Sequence, residues 1–152
     1  MSKINIISVG NFRKNSEYQT LFEEYRKRIK WDINLIETKK FMDNNIEQQK
    51  QLEAKEIIKH INSNYKTIIL DERGNIISTT DFATTCNKYF ITNGGINFII
   101  GGSNGLSTEI LQMPHYKLSF GKMVFPHLMV RVMLMEQLYR IYTLNIGHPY
   151  HK

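Results

Sequence analysis

Two hydrophobic periods alternate along the chain, and that alternation predicts its architecture. Short β-branched runs read as strands: Ile4-Asn5-Ile6-Ile7-Ser8-Val9, Ile33-Asn34-Leu35-Ile36, Thr67-Ile68-Ile69-Leu70-Asp71 and Ile96-Asn97-Phe98-Ile99-Ile100. Between them lie segments with apolar residues at helical spacing. Ser16 caps a helix carrying Tyr18, Leu21, Phe22, Tyr25 and Ile29 inward. Residues Phe41 to Gln51, rich in Asn and Gln, read as a loop leading into a helix with Leu52, Ile57, Ile58 and Ile61. The third strand ends in a turn at Glu72-Arg73-Gly74-Asn75, and helix 80–91 follows, with Phe82, Cys86, Tyr89 and Phe90 inward. Ser107-Thr108-Glu109 opens a short helix, Lys117-Leu118-Ser119-Phe120 is extended again, and Pro126 fits the first turn of a helix running to about Tyr142. Strands alternating with helices predict an α/β fold, a mostly parallel sheet flanked by helices.

Length and composition narrow this to one domain spanning residues 1–152. With 152 residues, 41% of them hydrophobic, the chain buries one sizeable core. Apolar runs reach about five residues, far short of a membrane span, and the polar start Met1-Ser2-Lys3 is no secretory signal. A cytoplasmic protein is expected. The lone Cys86 rules out an intramolecular disulfide and reads as core. Twenty Lys and Arg against 14 Asp and Glu favour a polyanionic partner. Most of that surplus lies beyond Ile110, where Lys117, Lys122, Arg131, Arg140 and Lys152 face one acid, Glu136.

The richest segment chemically is Ile99-Ile100-Gly101-Gly102-Ser103-Asn104-Gly105-Leu106, where a buried run stops at three glycines within five residues. A strand, a glycine loop and a helix form an α/β ligand-binding unit, or else a structural tight turn. The spacing G-x-G-x-x-G and the phosphate-loop Lys-Ser/Thr are both missing, which disfavours dinucleotides and nucleoside triphosphates. Ligands of parallel sheets gather at the carboxyl ends of strands. Three loops then converge: the one after Leu70, the glycine loop at Gly101, and Phe120-Gly121-Lys122-Met123-Val124-Phe125. The last sets backbone polar groups beside greasy side chains, a lining suited to an adenine or a thioether, or it is a surface loop with a bulge. On the final helix, His127 and Arg131 share one face, while Glu136 and Arg140 lie about 180° round. Such a helix packs on both sides, as a subunit interface requires, or carries a surface ion pair and a capping His127. The tail Gly147-His148-Pro149-Tyr150-His151-Lys152 is suited to gripping phosphate or stacking on a base, unless it is frayed. No metal site is expected, since neither His148 nor His151 has a cysteine or acidic ligand cluster nearby.

The segments I-x-x-V-G, T-I-I-L-D, I-I-G-G-S-N-G-L, L-S-F-G-K-M-V-F-P-H, R-V-x-x-x-E-Q-L-Y-R and the terminal H-P-Y-H-K, taken together, resemble the RlmH family of 23S ribosomal RNA pseudouridine N3-methyltransferases over the whole chain. The resemblance implies a SPOUT-class fold whose C-terminal part forms a trefoil knot. It also implies a homodimer and S-adenosylmethionine bound in the knot. The matched cofactor positions are Leu70, Gly101, Phe120, Gly121, Lys122, Met123, Val124 and Phe125; the matched substrate-side positions are His127, Glu136, Arg140 and Tyr150. The approach to the tail, Thr143-Leu144-Asn145-Ile146-Gly147, is more apolar than the family pattern.

Methyl transfer to a ring nitrogen is chiefly a matter of alignment. In the implied reaction Arg140 steadies a developing carbonyl oxyanion, Glu136 orients it, His127 or His148 takes the N3 proton, and Tyr150 stacks on or bonds the base. The Gly101 backbone is expected to lie against the cofactor, and one protomer's helix and tail to complete the other's pocket. The rival class is a non-enzymatic RNA-binding module, which explains the charge and the tail but leaves the glycine loop unused.

Overall fold

The computed structural model describes residues 2–113 and 115–152; Met1 and Pro114 lie outside the described residues. Five strands, β1 (Lys3–Val9), β2 (Asp32–Thr38), β3 (Lys66–Ile76), β4 (Gly95–Ile100) and β5 (Tyr116–Ser119), form one sheet in the order β2-β1-β4-β3-β5. Every neighbouring pair is parallel. Five helices connect them: α1 (Glu17–Arg26), α2 (Ile46–Lys59), α3 (Thr79–Asn93), α4 (Thr108–Gln112) and α5 (His127–Asn145).

The period-two pattern divides the core between the two faces of the sheet. On one face Ile4, Ile6, Ile68, Ile96, Phe98 and Ile100 meet Phe22 of α1, Phe82 and Cys86 of α3, and Leu134, Leu138 and Ile141 of α5. On the other, Ile7, Val9, Ile69 and Ile99 meet Ala54 and Ile57 of α2 and Ile110 of α4. Strands covered on both sides read as near-continuous apolar runs, which is why β4 is buried at all six positions. Its Asn97 survives there because its amide donates to the Asn62 carbonyl at 2.9 Å and its Oδ1 accepts from the Asn62 N–H at 3.3 Å.

Four elements differ from the sequence expectation, the first being α1, which ends at Arg26, before Ile29, and leaves Leu21 exposed. Helix α2 begins at Ile46, inside the stretch read as loop, because the Asn45 side chain accepts from the N–H groups of Glu47 and Gln48. Its inward face includes Gln49 and Glu53, with Leu52 left exposed, so apolar spacing could not locate it. Strand β3 continues through the expected turn to Ile76, and its pairing with β5 shifts register between Leu70 and Asn75, both opposite Leu118. The bulge holds Asp71, whose carboxylate accepts from Arg73 Nε and Nη2 at 2.9 and 2.8 Å. Helix α5 runs to Asn145, with Pro126 as its cap and not its first helical residue.

A single buried cation joins α5 to the sheet. Arg131, with no exposed surface, donates to Glu37 of β2 at 3.0 Å and to the carbonyls of Val9 and Gly10, at the end of β1, at 2.7 Å each. Its guanidinium carbon lies 4.9 Å from the Phe12 ring centroid. Replacing it strands the Glu37 carboxylate and two carbonyls. Arg131→Met should therefore destabilise the fold by about 3 kcal/mol, lowering the urea midpoint without changing the slope of the transition.

Candidate active site

The bulge of β3 and the carboxyl ends of β4 and β5 open into one cleft of about 910 Å³. Leu70 and Asp71 form one wall, the loop from Gly101 to Leu106 a second, and Phe120, Gly121, Met123, Val124 and Phe125 a third. The start of α5 closes it with Pro126, His127 and Val130. Seven of the eight residues expected at a cofactor thus share one cavity; Lys122 is exposed and outside its lining. Lys50 of α2 and Arg73 of the β3 bulge also reach the wall. Sequence reasoning missed both, because α2 was read as starting later and the bulge as a plain turn.

Each loop has a local cause. A Cβ on Gly101 would stand 2.9 Å from the Gly105 carbonyl carbon and 3.0 Å from Leu106 Cγ. The loop therefore closes against its own backbone, and this close approach by itself requires glycine at this position. A bridge between Gly102 and Gly105 holds the same turn. Gly121 has φ +125° with open space where a side chain would point, so backbone strain, and not crowding, reserves it for glycine. Ser119 pins this corner: its hydroxyl accepts from the Gly121 N–H at 3.0 Å and donates to the Glu72 carbonyl at 3.1 Å. Beyond it, Met123 and Val124 are more than three-quarters exposed at the cleft mouth, apolar surface with nothing of this chain to cover it.

His127 stands apart from the other residues expected on the substrate side. It lines the cleft with a buried Nδ1 that has no hydrogen-bond partner. Burial first, then the charges of Arg131 and Lys40, hold its imidazole below the ordinary histidine range. Glu136, Arg140 and Tyr150 gather on the other face of α5, roughly 13 Å further along the axis at the α-helical rise. Glu136 accepts from Arg140 Nε at 2.6 Å and from the Tyr150 hydroxyl at 3.1 Å, while Gln137 donates to its second oxygen at 2.9 Å. The Arg140 guanidinium carbon lies 5.0 Å from the Tyr150 ring centroid, and the rings of Tyr150 and Tyr139 are 4.6 Å apart.

The tail is therefore packed and not frayed. Gly147 turns it back with φ +71°, the His148 N–H reaches the Thr143 carbonyl at 2.9 Å, and His151 Nδ1 stands 3.3 Å from Arg140. Burial, with Tyr25 and Glu136 alongside, pushes the Tyr150 phenol up to about 12, so it stays a donor at neutral pH. Glu136 also borders a second cleft of about 380 Å³ that shares Leu118 and Phe120 with the first. The corner after β5 is thus the common wall between the two groups of residues. Among the described residues no cluster of three or more His, Cys, Asp and Glu is arranged to hold a metal ion, and no helix is long and apolar enough to cross a membrane.

Known proteins share this arrangement of sequence. The family described as predicted SPOUT methyltransferase matches residues 2–151. The protein named ribosomal RNA large subunit methyltransferase H of Clostridium tetani (strain Massachusetts / E88) is 41% identical over 158 aligned residues, covering 98% of this chain and 99% of that protein. Proteins of the same name from Clostridium botulinum (strain Okra / Type B1) and Clostridium novyi (strain NT) are 41% and 39% identical with the same coverage. The fold is similar to a solved structure described as a probable methylase family protein from Haemophilus influenzae Rd KW20, with a TM-score of 0.52 and 16% identity over 95% of this chain and 66% of that one. That last likeness speaks to fold alone. With the family matching almost end to end and the glycine loop, the corner after β5 and the start of α5 meeting in one cleft, the chain belongs to the SPOUT methyltransferase family.

Proposed function

We propose that this protein methylates N3 of a pseudouridine in large-subunit (23S) ribosomal RNA, with S-adenosylmethionine held in the larger cleft and two copies of the chain completing each site. The observation that carries the proposal is the convergence of Leu70, Gly101, Phe120, Gly121, Met123, Val124 and Phe125 on one cavity beside His127. Its lining fits the cofactor: Leu70, Ile100, Leu118, Phe120 and Phe125 offer apolar walls for an adenine and a thioether, and the glycine loop offers backbone polar groups beside them. When bound, S-adenosylmethionine supplies an electrophilic methyl on a sulfonium. The knot implied by family membership belongs to this same proposal, as does action in the cytoplasm on the ribosome or its late precursor. A purely RNA-binding module is disfavoured, because it leaves a 910 Å³ cleft without use.

The chain's own residues divide the work. Methyl transfer requires the target N3 in line with the methyl group, and that position is set by contacts to the base. Tyr150, held by Glu136 and Tyr139, offers its ring and a protonated hydroxyl. Arg140, fixed by Glu136, carries the positive charge that steadies negative charge developing on a base carbonyl. His127 is neutral at pH 7 and able to accept the N3 proton. Since His127 and the Glu136 group occupy opposite faces of α5, the proposal places His127 of one protomer with Arg140 and Tyr150 of its partner.

Three measurements test this. Mass spectrometry of large-subunit rRNA should find one N3-methylpseudouridine that is lost when the gene is deleted; unchanged rRNA refutes the activity. Mixing inactive Gly101→Val with inactive Arg140→Ala subunits should restore part of the activity if the site is shared, whereas confirmed heterodimers without activity would place each site within one chain. The depressed His127 value also has a sign. Folding favours the neutral ring, so its contribution to stability is full above about 6.5 and is lost as pH falls through the lower folded value. An NMR titration should place the His127 midpoint below about 6.5, and His127→Asn should reduce the fall in Tm between about pH 7 and 5; a midpoint at or above the ordinary value contradicts the neutral-acceptor role.

A further inference from the structure

Ion pairs engage eight of the 20 basic side chains among the described residues, Lys50 with Glu47 included, and leave twelve unpaired. On α1, Arg26 is paired with Glu23, and both Lys27 and Arg28 with Glu24; Lys59 is paired with Glu56, Arg73 with Asp71, Arg131 with Glu37 and Arg140 with Glu136. Each of these basic side chains already has a carboxylate partner within the fold. Five of the unpaired twelve lie on loops at the carboxyl edge of the sheet, while the others, Lys3, Lys30 and Lys88 among them, lie elsewhere. Arg13 and Lys14 follow β1, Lys39 and Lys40 follow β2, and Lys122 follows β5; all five are exposed, and none forms an ion pair among the described residues.

The topology brings these loops together beside the cleft. Strands β1 and β2 end in register, Val9 opposite Thr38, and the Gly10 N–H reaches the Thr38 carbonyl at 2.8 Å, so the two basic pairs leave the sheet side by side. Lys40 Cβ is 4.0 Å from where a Cβ on Gly10 would stand, and its charge is felt at His127 in the cleft. The Lys39 ammonium lies 5.0 Å from the centroid of the Phe41 ring. Nearby carboxylates already have other partners, Glu37 in Arg131, Glu53 in the Phe41 N–H and Glu56 in Lys59, although the charges of Lys40 and Lys39 are felt at Glu53 and Glu56. Exposed acids border this edge too: Asp43 and Glu72 on the loops, and Glu17, Glu47 and Glu109 in the first turns of α1, α2 and α4.

We propose that Arg13, Lys14, Lys39 and Lys40, with Lys122 across the cleft, form a rim that binds the phosphates of the RNA strand flanking the target base. The proposal rests on the RNA-methylating role above and extends it to residues outside the cofactor cleft and the Glu136 group. Phosphate contacts fix register and orientation without reading sequence, which suits an enzyme that must hold one base against a methyl donor. Unpaired lysines on short loops serve this better than the paired cations of α1, which would have to give up a partner first.

The test separates rim from cleft. Binding of purified large ribosomal subunits is measured against salt in the presence of S-adenosylhomocysteine, for the wild type, for Lys14→Gln/Lys40→Gln, and for the α1 control Arg26→Gln/Lys27→Gln. The rim variant should lower the slope of log affinity against log salt by about 1.4, at roughly 0.7 per lost contact to a single strand. It should keep wild-type affinity for S-adenosylmethionine by calorimetry, and the control should keep the wild-type slope. An unchanged slope in the rim variant, or an equal fall in the control, overturns the rim. Absence of salt-dependent binding by the wild type overturns the RNA reading itself, and the rim with it.

Discussion

The Arg131 guanidinium is the contact on which the geometry of the site depends. It is fully buried, it reaches across from α5 to β2 and to the last carbonyls of β1, and its partners lie more than ninety residues away in sequence. A buried ion pair is weak evidence for stability, since desolvation consumes most of the Coulombic gain. Burial indeed depresses the Arg131 value even with Glu37 beside it, and its Nε has no partner. What the pair supplies is register. It sets α5 at one position along the carboxyl edge of the sheet, and His127, one turn earlier, is thereby set in the cleft.

With α5 fixed, the helix separates two chemistries by its faces. The His127 face is desolvated and lies beside positive charge, which keeps the imidazole neutral. The Glu136 face is polar and mutually bonded, with carboxylate, guanidinium, amide and phenol holding one another in place. Preorganised groups of this kind need little reorganisation at the moment of reaction. The corner after β5 stands between them, with Phe120 lining both clefts and Met123 and Val124 exposed at the mouth. Apolar side chains so exposed suit a surface that a cofactor or a second subunit covers in the proposed assembly.

The elements with one clear period were legible from the chain: β1, β4, α3 and the glycine loop fall where apolar spacing and capping residues put them. Helix α2 was misread at its start because its buried face uses Gln49 and Glu53, and a polar residue signals burial only once its partners are known. The β3 bulge was taken for a turn because Glu72-Arg73-Gly74-Asn75 has turn composition, whereas β5 alongside turns the same residues into a continuing strand. The need for glycine at Gly101 was visible, but its cause, a backbone 2.9 Å away at Gly105, was not.

The sequence by itself determined the class of fold, the three loops of the cleft and the residue types available there, because these follow from local periodicity, from glycines at strand ends and from motifs that lie close together along the chain. Only the tertiary structure decided which side chains act together. It folded the tail back so that Tyr150 meets Glu136 fourteen positions earlier, left Lys122 outside the cleft lining, drew Lys50 and Arg73 to its wall, and made Arg131 a fixed strut of the core. The physical reason is range. Periodicity and capping act over a few residues, whereas burial, charge pairing and the pKa shifts that tune the site depend on groups that only the closed sheet and the packed α5 bring within reach.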